Sequence, residues 1–411
     1  MALVQALGDA ELGAPLWTLT RGAVCTGRSD AAPLQAPSAL WGLGRVVALE
    51  HPERWGGLVD LPAPAADGGR TVRLDDRTVA RLAAVLEGAS GEDQVALRAS
   101  GALVRRVVRA GVPEGSVREW TPGGTVLITG GTGALGAQVA RWVVERGAEH
   151  VVLTSRRGSK APGALELKNA LRDAGAKVSF AACDMADHGA VARVLRKHRV
   201  DSVFHTAGVL DDEAVDALTE ERIAPVLRAK VRGAQHLDEL TREHELSAFV
   251  VFSSIAGVWG SGGQAAYAAA NAALDALVEA RRTEGLAGTS VAWGPWAEAG
   301  MAASDEAQEH LRRRGLNPLA PHSALRALER ALGAGDSTLV VADVDWARFT
   351  AAFTSRRSAP CSRNSPRRRA RWKASSSRTA VPRCAGGWPG SPPRSATGRS
   401  WTSYGSTPRP S

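Results

Sequence analysis

From Thr125 onward the chain alternates two hydrophobic patterns. Short runs rich in Val, Leu, Ile, Phe and Thr occur at TVLITG (Thr125 to Gly130), HVVLTS (His150 to Ser155), VSFAACD (Val178 to Asp184), SVFHTAG (Ser202 to Gly208), FVVFSS (Phe249 to Ser254), SVAWG (Ser290 to Gly294) and TLVVADV (Thr338 to Val344). Between most of them, apolar positions recur every three to four residues. The runs are too short for helices and too continuously apolar for strands with a wet face, so they read as strands buried on both sides, with helical crossovers between them. The expectation is a doubly wound α/β sheet of parallel strands, which binds ligands outside its strands' carboxyl ends.

The first part of the chain reads differently. WGLGRVVALEHPERWGGLVDLP (Trp41 to Pro62) predicts a helix, a proline break and a short apolar strand; DRTVARLAAVLEGA (Asp76 to Ala89) predicts an amphipathic helix. DQVALRASGALVRRVVR (Asp93 to Arg109) predicts a strand, a Ser-Gly turn and a second strand. No constellation there carries chemistry, which makes the region scaffold. The boundary falls near Gly115, giving expected units of 1–115, 116–353 and 354–411.

Charge changes the picture only at the end. The 411 residues carry a formal charge of +9, yet Ser355 to Ser411 hold 12 Arg, 1 Lys and no acid, leaving 38 bases against 42 acids in residues 1–354. With 13 Ser, 8 Pro and a single Val, the tail cannot bury enough apolar surface to offset its chain entropy, and disorder is expected. An anionic-surface or nucleic-acid arm is one reading. The abrupt change after Phe353 favours the other, out-of-frame translation, and no nucleic-acid partner is assigned. No run of 18 apolar residues appears and the start lacks a basic n-region, so neither a membrane span nor a signal peptide is expected. Cys25, Cys183, Cys361 and Cys384 show no metal or framework spacing, which suits a reducing cytoplasm; no metal site is expected.

The strand ends carry the candidate chemistry. The first runs into TGGTGALG, with Gly130, Gly133 and Gly136 three residues apart where a helix should begin, at about Ala137. Residues without a Cβ let backbone amides and the helix end approach a pyrophosphate, although a plain turn would also use them. The second strand ends in Ser155-Arg156-Arg157, where an NAD site wants a carboxylate for the ribose 2′-hydroxyl. Guanidinium and hydroxyl groups attract a 2′-phosphate instead, so NADP(H) is expected, unless both arginines are merely solvated. Asp184, closing the third strand, could accept from the adenine amino group or cap a helix. The fifth strand ends at Ser253-Ser254, and 13 residues later, in QAAYAAAN, stands Tyr267, the one tyrosine before the tail. A phenol is a poor acid–base group unless a cation lowers its pKa. Lys230, in RAKVRGAQHL, could supply that charge, and Asn271, one turn beyond Tyr267 on the same face, could orient a lysine or a water.

TGGTGALG, the HTAG of His205 to Gly208, the Ser254 and Tyr267 pair, and the WGPW of Trp293 to Trp296 together resemble the short-chain dehydrogenase/reductase superfamily. More narrowly, Lys230 upstream and Asn271 four after the tyrosine resemble the ketoreductase domains of modular type I polyketide synthases, where lysine and asparagine are exchanged relative to Tyr-x-x-x-Lys. WGLGRVVALEHPERWGGLVDLP is similar to the catalytically silent structural subdomain of that family. The resemblance spans residues 1–353 and implies a Rossmann sheet preceded by a degenerate Rossmann-like subdomain, here expected to be truncated and to leave exposed sheet edges. It implies that Ser254 hydrogen-bonds a ketone oxygen, Tyr267 protonates it, Lys230 holds the nicotinamide ribose and depresses the tyrosine pKa, and Asn271 supports that arrangement.

The implied cofactor is NADPH, contacted by Gly130, Thr132, Gly133, Ala134, Leu135, Gly136, Ser155, Arg156, Arg157, Asp184, Met185, Thr206, Ala207, Gly208, Gly294 and Pro295. The implied substrate is a β-ketoacyl thioester on an acyl carrier protein, with other synthase domains as partners and a role in antibiotic biosynthesis. Leu210-Asp211-Asp212 matches the family's fingerprint for B-type reductases, which give the D-configured hydroxyl; Trp259 is associated with A-type enzymes. The acidic fingerprint decides for B-type, with Gln264 a further substrate-side residue. Asp211 and Asp212 could instead cap a helix and Trp259 could only line a wall. Residues 297–318 resemble the lid, with Gly300 on a hinged loop. Two other readings stay open: a stand-alone reductase of free ketones, and a non-catalytic NADP-binding scaffold.

Overall fold

The computed structural model describes residues 1–27, 30–62, 74–88, 90–110, 119–297 and 305–355, with the backbone of 382–383 and 400–403. The first unit contains α1 (Ala2–Asp9), β1 (Leu16–Arg21), α2 (Gln35–Glu50), β2 (Trp55–Leu61), α3 (Asp76–Leu86), β3 (Gln94–Arg98) and β4 (Gly101–Arg106). Strands β1, β2 and β3 are parallel in that order, and β4 returns antiparallel to β3, as the Ser-Gly turn predicts. The free edge of β4 is taken by Ser400–Ser403, and Pro382–Arg383 pairs with Val108–Arg109. At those two places the tail has structure, because edge pairing needs only backbone N–H and C=O groups. The expectation of disorder for the rest of the tail falls outside the described residues.

The second unit contains β5 (Thr125–Thr129), α4 (Ala134–Glu145), β6 (His150–Ser155), α5 (Ala164–Asp173), β7 (Lys177–Ala182), α6 (His188–Lys197), β8 (Ser202–His205), α7 (Glu220–Leu227), α8 (Gly233–Leu240), β9 (Ala248–Ser254), α9 (Ala256–Trp259), α10 (Ala265–Thr283), β10 (Thr289–Trp293), α11 (Asp305–Arg313), α12 (Pro321–Ala334), β11 (Thr338–Val341) and α13 (Trp346–Phe353). All seven apolar runs enter one parallel sheet, ordered β11-β10-β9-β8-β5-β6-β7. Chain order reverses between β5 and β8, which opens a crevice at the carboxyl ends of those two strands.

Both faces of the sheet are covered, and the strand period of two divides each run between them. Val126, Ile128, Val250 and Phe252 join the core formed with α4, α5 and α12, while Leu127, Phe249 and Val251 join the core formed with α6, α8 and α10. The alanines of α10 serve a third contact. Ala265, Ala266, Ala268 and Ala273 pack with Trp41 and Val46 of α2, and a Cβ on Gly42 would stand 2.3 Å from Ala268 O. Small residues on both helices let the two backbones meet, which joins the scaffold to the helix that carries Tyr267.

Candidate active site

Strand β5 runs into the glycine turn. Gly130 has φ of +64°, and a Cβ there would stand 2.9 Å from Ala207 Cα. Helix α4 starts at Ala134, three residues before the expected position, with Gly133 as its N-cap. Gly136 therefore lies inside the first turn, where a Cβ would come 2.4 Å from Gly130 O. The third glycine lets the helix close onto the turn. Thr132 and Leu135 are half-buried, Gly133 and Ala134 are exposed, and Leu135 lines a cavity of about 770 Å³.

At the end of β6, Ser155 Oγ is buried with no hydrogen-bond partner among the described residues, beside the exposed Arg156 and Arg157. Asp184 is exposed and accepts from Ala186 N at 3.0 Å; the N-cap of α6 is Asp187, so the capping alternative for Asp184 does not apply. The Met185 side chain lies in the core, and its carbonyl oxygen lies 3.0 Å from His236 Nδ1. The segment after β8 lies against the glycine turn, with Thr206 Oγ1 donating to Thr129 O at 2.6 Å and Ala207 N donating to Thr129 Oγ1 at 3.3 Å. Gly208, Gly294 and Pro295 line the same cavity, and Gly294 N donates to Val341 O at 2.8 Å.

The reactive groups converge on this cavity. Ser254, Tyr267 and Lys230 line it, and Lys230 Nζ lies 5.1 Å from the centre of the Tyr267 ring. Lys230 sits in a π-helical turn, Arg228–Arg232, joining α7 to α8. Such wide turns interrupt helices mostly at functional sites. Its ammonium is buried and donates to Phe252 O at 2.8 Å, and burial pushes its pKa down to about 7. The Tyr267 phenol is raised, by burial first, with hydrogen bonds from the Asn271 and Ser254 side chains pulling it down and the Asp212 charge pushing it up. The expected depression by Lys230 is thus overturned here, because desolvation dominates and a lysine held near 7 carries only part of its charge at neutral pH. The Asn271 Nδ2 donates to the backbone carbonyl of Tyr267 at 2.8 Å, one turn back along α10, and its Oδ1 is buried with no partner among the described residues.

Sequence reasoning passed over His205. Its Nδ1 lies 2.8 Å from Thr129 Oγ1 and its Nε2 lies 2.9 Å from Lys230 O, which ties the lysine turn to the sheet. Burial pushes its pKa down to about 4, so the ring is neutral. Nothing in the sequence marks a histidine at the end of an apolar run as a brace.

The substrate-side residues meet at the cavity mouth. Leu210 is exposed and lines it; Asp211 pairs with Arg222, and Asp212 Oδ2 accepts from Gln264 Nε2 at 2.9 Å, so neither aspartate caps a helix. Trp259 is 5 % exposed and packs against Trp346 and Phe349 of α13. Helix α11 adds Ala307, His310 and Leu311 to the cavity wall, whereas the Gly300 hinge lies outside the described residues.

Comparison with known proteins agrees with this geometry. Residues 124–298 match the KR domain model, and residues 1–107 match the model of the Rossmann fold domain of polyketide synthase extender module SpnB. The chain is 51 % identical over 367 residues to polyketide synthase GfsA of Streptomyces halstedii, covering 88 % of this chain and 5 % of that protein. It is 50 % identical over 360 residues to the pikromycin polyketide synthase component PikAIII of Streptomyces venezuelae, covering 86 % of this chain and 22 % of that protein. The chain thus spans a small part of the length of these curated relatives. Among solved structures, an A1-type ketoreductase is 48 % identical with a TM-score of 0.83, over 89 % of this chain and 76 % of that one. The first ketoreductase of the tylosin PKS is 48 % identical with a TM-score of 0.82, over 89 % of this chain and 78 % of that one. With the glycine turn, the Ser–Tyr–Lys–Asn group and both subdomains in place, the chain belongs to the ketoreductase domain family of modular polyketide synthases, within the short-chain dehydrogenase/reductase fold.

Proposed function

We propose that the protein reduces the β-carbonyl of a β-ketoacyl thioester, carried on the acyl carrier protein of a polyketide synthase, using NADPH in the cytoplasm, and leaves a D-configured hydroxyl. The observation that supports this most is the convergence of Ser254, Tyr267, Lys230 and Asn271 beside a cavity that also reaches the glycine turn's helix. The residues fit the cofactor: Gly130 and Gly136 let the turn, the segment after β8 and the start of α4 close together with no Cβ between them, and the orphaned Ser155 hydroxyl beside two exposed arginines suits a ribose 2′-phosphate.

When bound, NADPH supplies the hydride. The chain's own part is to hold and neutralise the carbonyl oxygen: the Ser254 hydroxyl donates to it and Tyr267 transfers a proton to it as negative charge builds. Hydrogen bonds from Asn271 and Ser254 pull the phenol's pKa down against its burial, and Lys230, whose ammonium donates to Phe252 O and whose turn is tied to His205, lies 5.1 Å from the ring centre. Leu210 and Gln264 line the wall that would orient the ketone, and Asp212 holds the Gln264 amide, an arrangement that supports the B-type assignment.

The test supplies NADPH and a β-ketoacyl thioester on a carrier protein, follows nicotinamide absorbance, and resolves the product on a chiral column. Consumption with a D-configured product is expected. An L-configured product, as would suit the A-type relatives and Trp259, would remove the B-type assignment alone; no consumption would remove the reductase reading. With Arg156→Ala/Arg157→Ala, affinity for NADPH should fall about tenfold or more while NADH affinity stays within about twofold, since each lost charge-assisted hydrogen bond is worth about 1.5–3 kcal/mol. Equal losses for both cofactors would show that the arginines do not read the phosphate.

A further inference from the structure

The helix that carries Tyr267 has no cap of its own. Gln264, at the N-cap of α10, makes no side-chain capping bond, and its amide Nε2 donates to Asp212 Oδ2 at 2.9 Å. A carboxylate from the other subdomain reaches the residue just before that N-cap. Glu50, the last residue of α2, accepts from Gly263 N on Oε1 and from Val215 N on Oε2, each at 2.7 Å. A carboxylate at a helix C-terminus opposes that helix's dipole, so local preference does not put it there. Two charge-assisted bonds outweigh the penalty, and at Gly263 the same charge stands at the favourable, N-terminal end of α10.

The two N–H groups belong to opposite walls of the cleft. Val215 follows the Leu210–Asp212 segment, and Gly263 lies between Gly262 and Gln264; Leu210, Gly262 and Gln264 all line the cavity. Glu213 N donates to Gly263 O at 2.7 Å, so the walls also touch directly. Helix α2 grips the neighbouring backbone as well: Arg45 donates to Gly257 O, and His51 Nε2 lies 3.0 Å from Asp216 Oδ1. Of the contacts made by α2 here, the Glu50 carboxylate is the one that reaches both walls at once.

We propose that Glu50, in the subdomain without catalytic groups, is a positioning residue that sets the spacing of the two cleft walls and thereby which face of the ketone meets the hydride. This rests on the ketoreductase reading above. Glu50→Gln keeps one acceptor and turns an amide N–H₂ toward the other N–H group; Glu50→Ala keeps neither. Both are assayed with NADPH and the carrier-bound β-ketoacyl thioester for product configuration, KM, kcat and NADPH affinity, with Leu58→Ala, in the scaffold core, as a control for general destabilisation. The expected result is a graded rise in the minor hydroxyl isomer, about tenfold in Glu50→Ala and less in Glu50→Gln, with a rise in KM for the thioester that outweighs the change in kcat, NADPH affinity within about twofold, and no change of isomer ratio in Leu58→Ala. Should Glu50→Ala fail to fold, Glu50→Gln alone decides. An unchanged isomer ratio in a folded Glu50 variant, or the same shift in Leu58→Ala, would overturn the proposal while the reductase reading stands; a wild-type chain that reduces nothing would overturn both.

Discussion

Tyr267→Phe should lose about 10³-fold in turnover while binding NADPH within about twofold of the unaltered protein, as measured by absorbance assay and by cofactor fluorescence titration. The substitution removes one oxygen. The ring keeps its place against α2 and α7 in the apolar contact it already makes, so the cofactor's side of the crevice is undisturbed. What disappears is the proton donor. Burial raises the phenol above its ordinary value, which keeps it protonated at neutral pH and extends the acid form to higher pH. The Ser254 hydroxyl remains to polarise the carbonyl, so the residual rate should be that of hydride transfer with protonation from water. Turnover within tenfold of the parent would mean that another group supplies the proton.

Lys230→Met should make the protein inactive and, near neutral pH, more stable. The lysine is held near 7 against 10.5 in an open chain because burial disfavours its charge. Below about pH 7 the folded and unfolded states both carry the proton and the cost of burying it is complete; between 7 and 10.5 the folded state releases the proton first, and the cost fades as pH rises. A thioether of similar length removes that cost, on the order of a few kcal/mol, against about 1 kcal/mol for the lost bond to Phe252 O. Thermal unfolding should therefore show a gain at about pH 6 that shrinks toward about pH 10. A gain that grows with pH would show that Lys230 is not buried as its surroundings indicate. A buried charge that costs stability and is kept all the same points to function.

Much of this was readable along the chain. Seven apolar runs became the seven strands of one sheet, since a run buried on both faces has few other places to go. Ser254, Lys230 and Tyr267 came to line one cavity, with Asn271 one turn beyond the tyrosine on α10. The errors have a common cause. Helix α4 began three residues early because Gly136 packs onto Gly130, a contact that no propensity describes. The Tyr267 pKa moved up instead of down, because it depends on what surrounds the residue in space.

The sheet, the glycine turn and the candidate reacting groups were legible along the chain, because hydrophobic period and short-range spacing are written in neighbouring positions. How those groups are poised came only with the packed molecule. Glu50 reaches residues 165 and 213 positions away, and His205 braces a lysine 25 positions on. Burial, which sets both the lysine and the tyrosine pKa, belongs to the packed molecule: the electrostatic cost of a charge depends on everything that displaces water around it, and that shell is assembled only when distant segments meet.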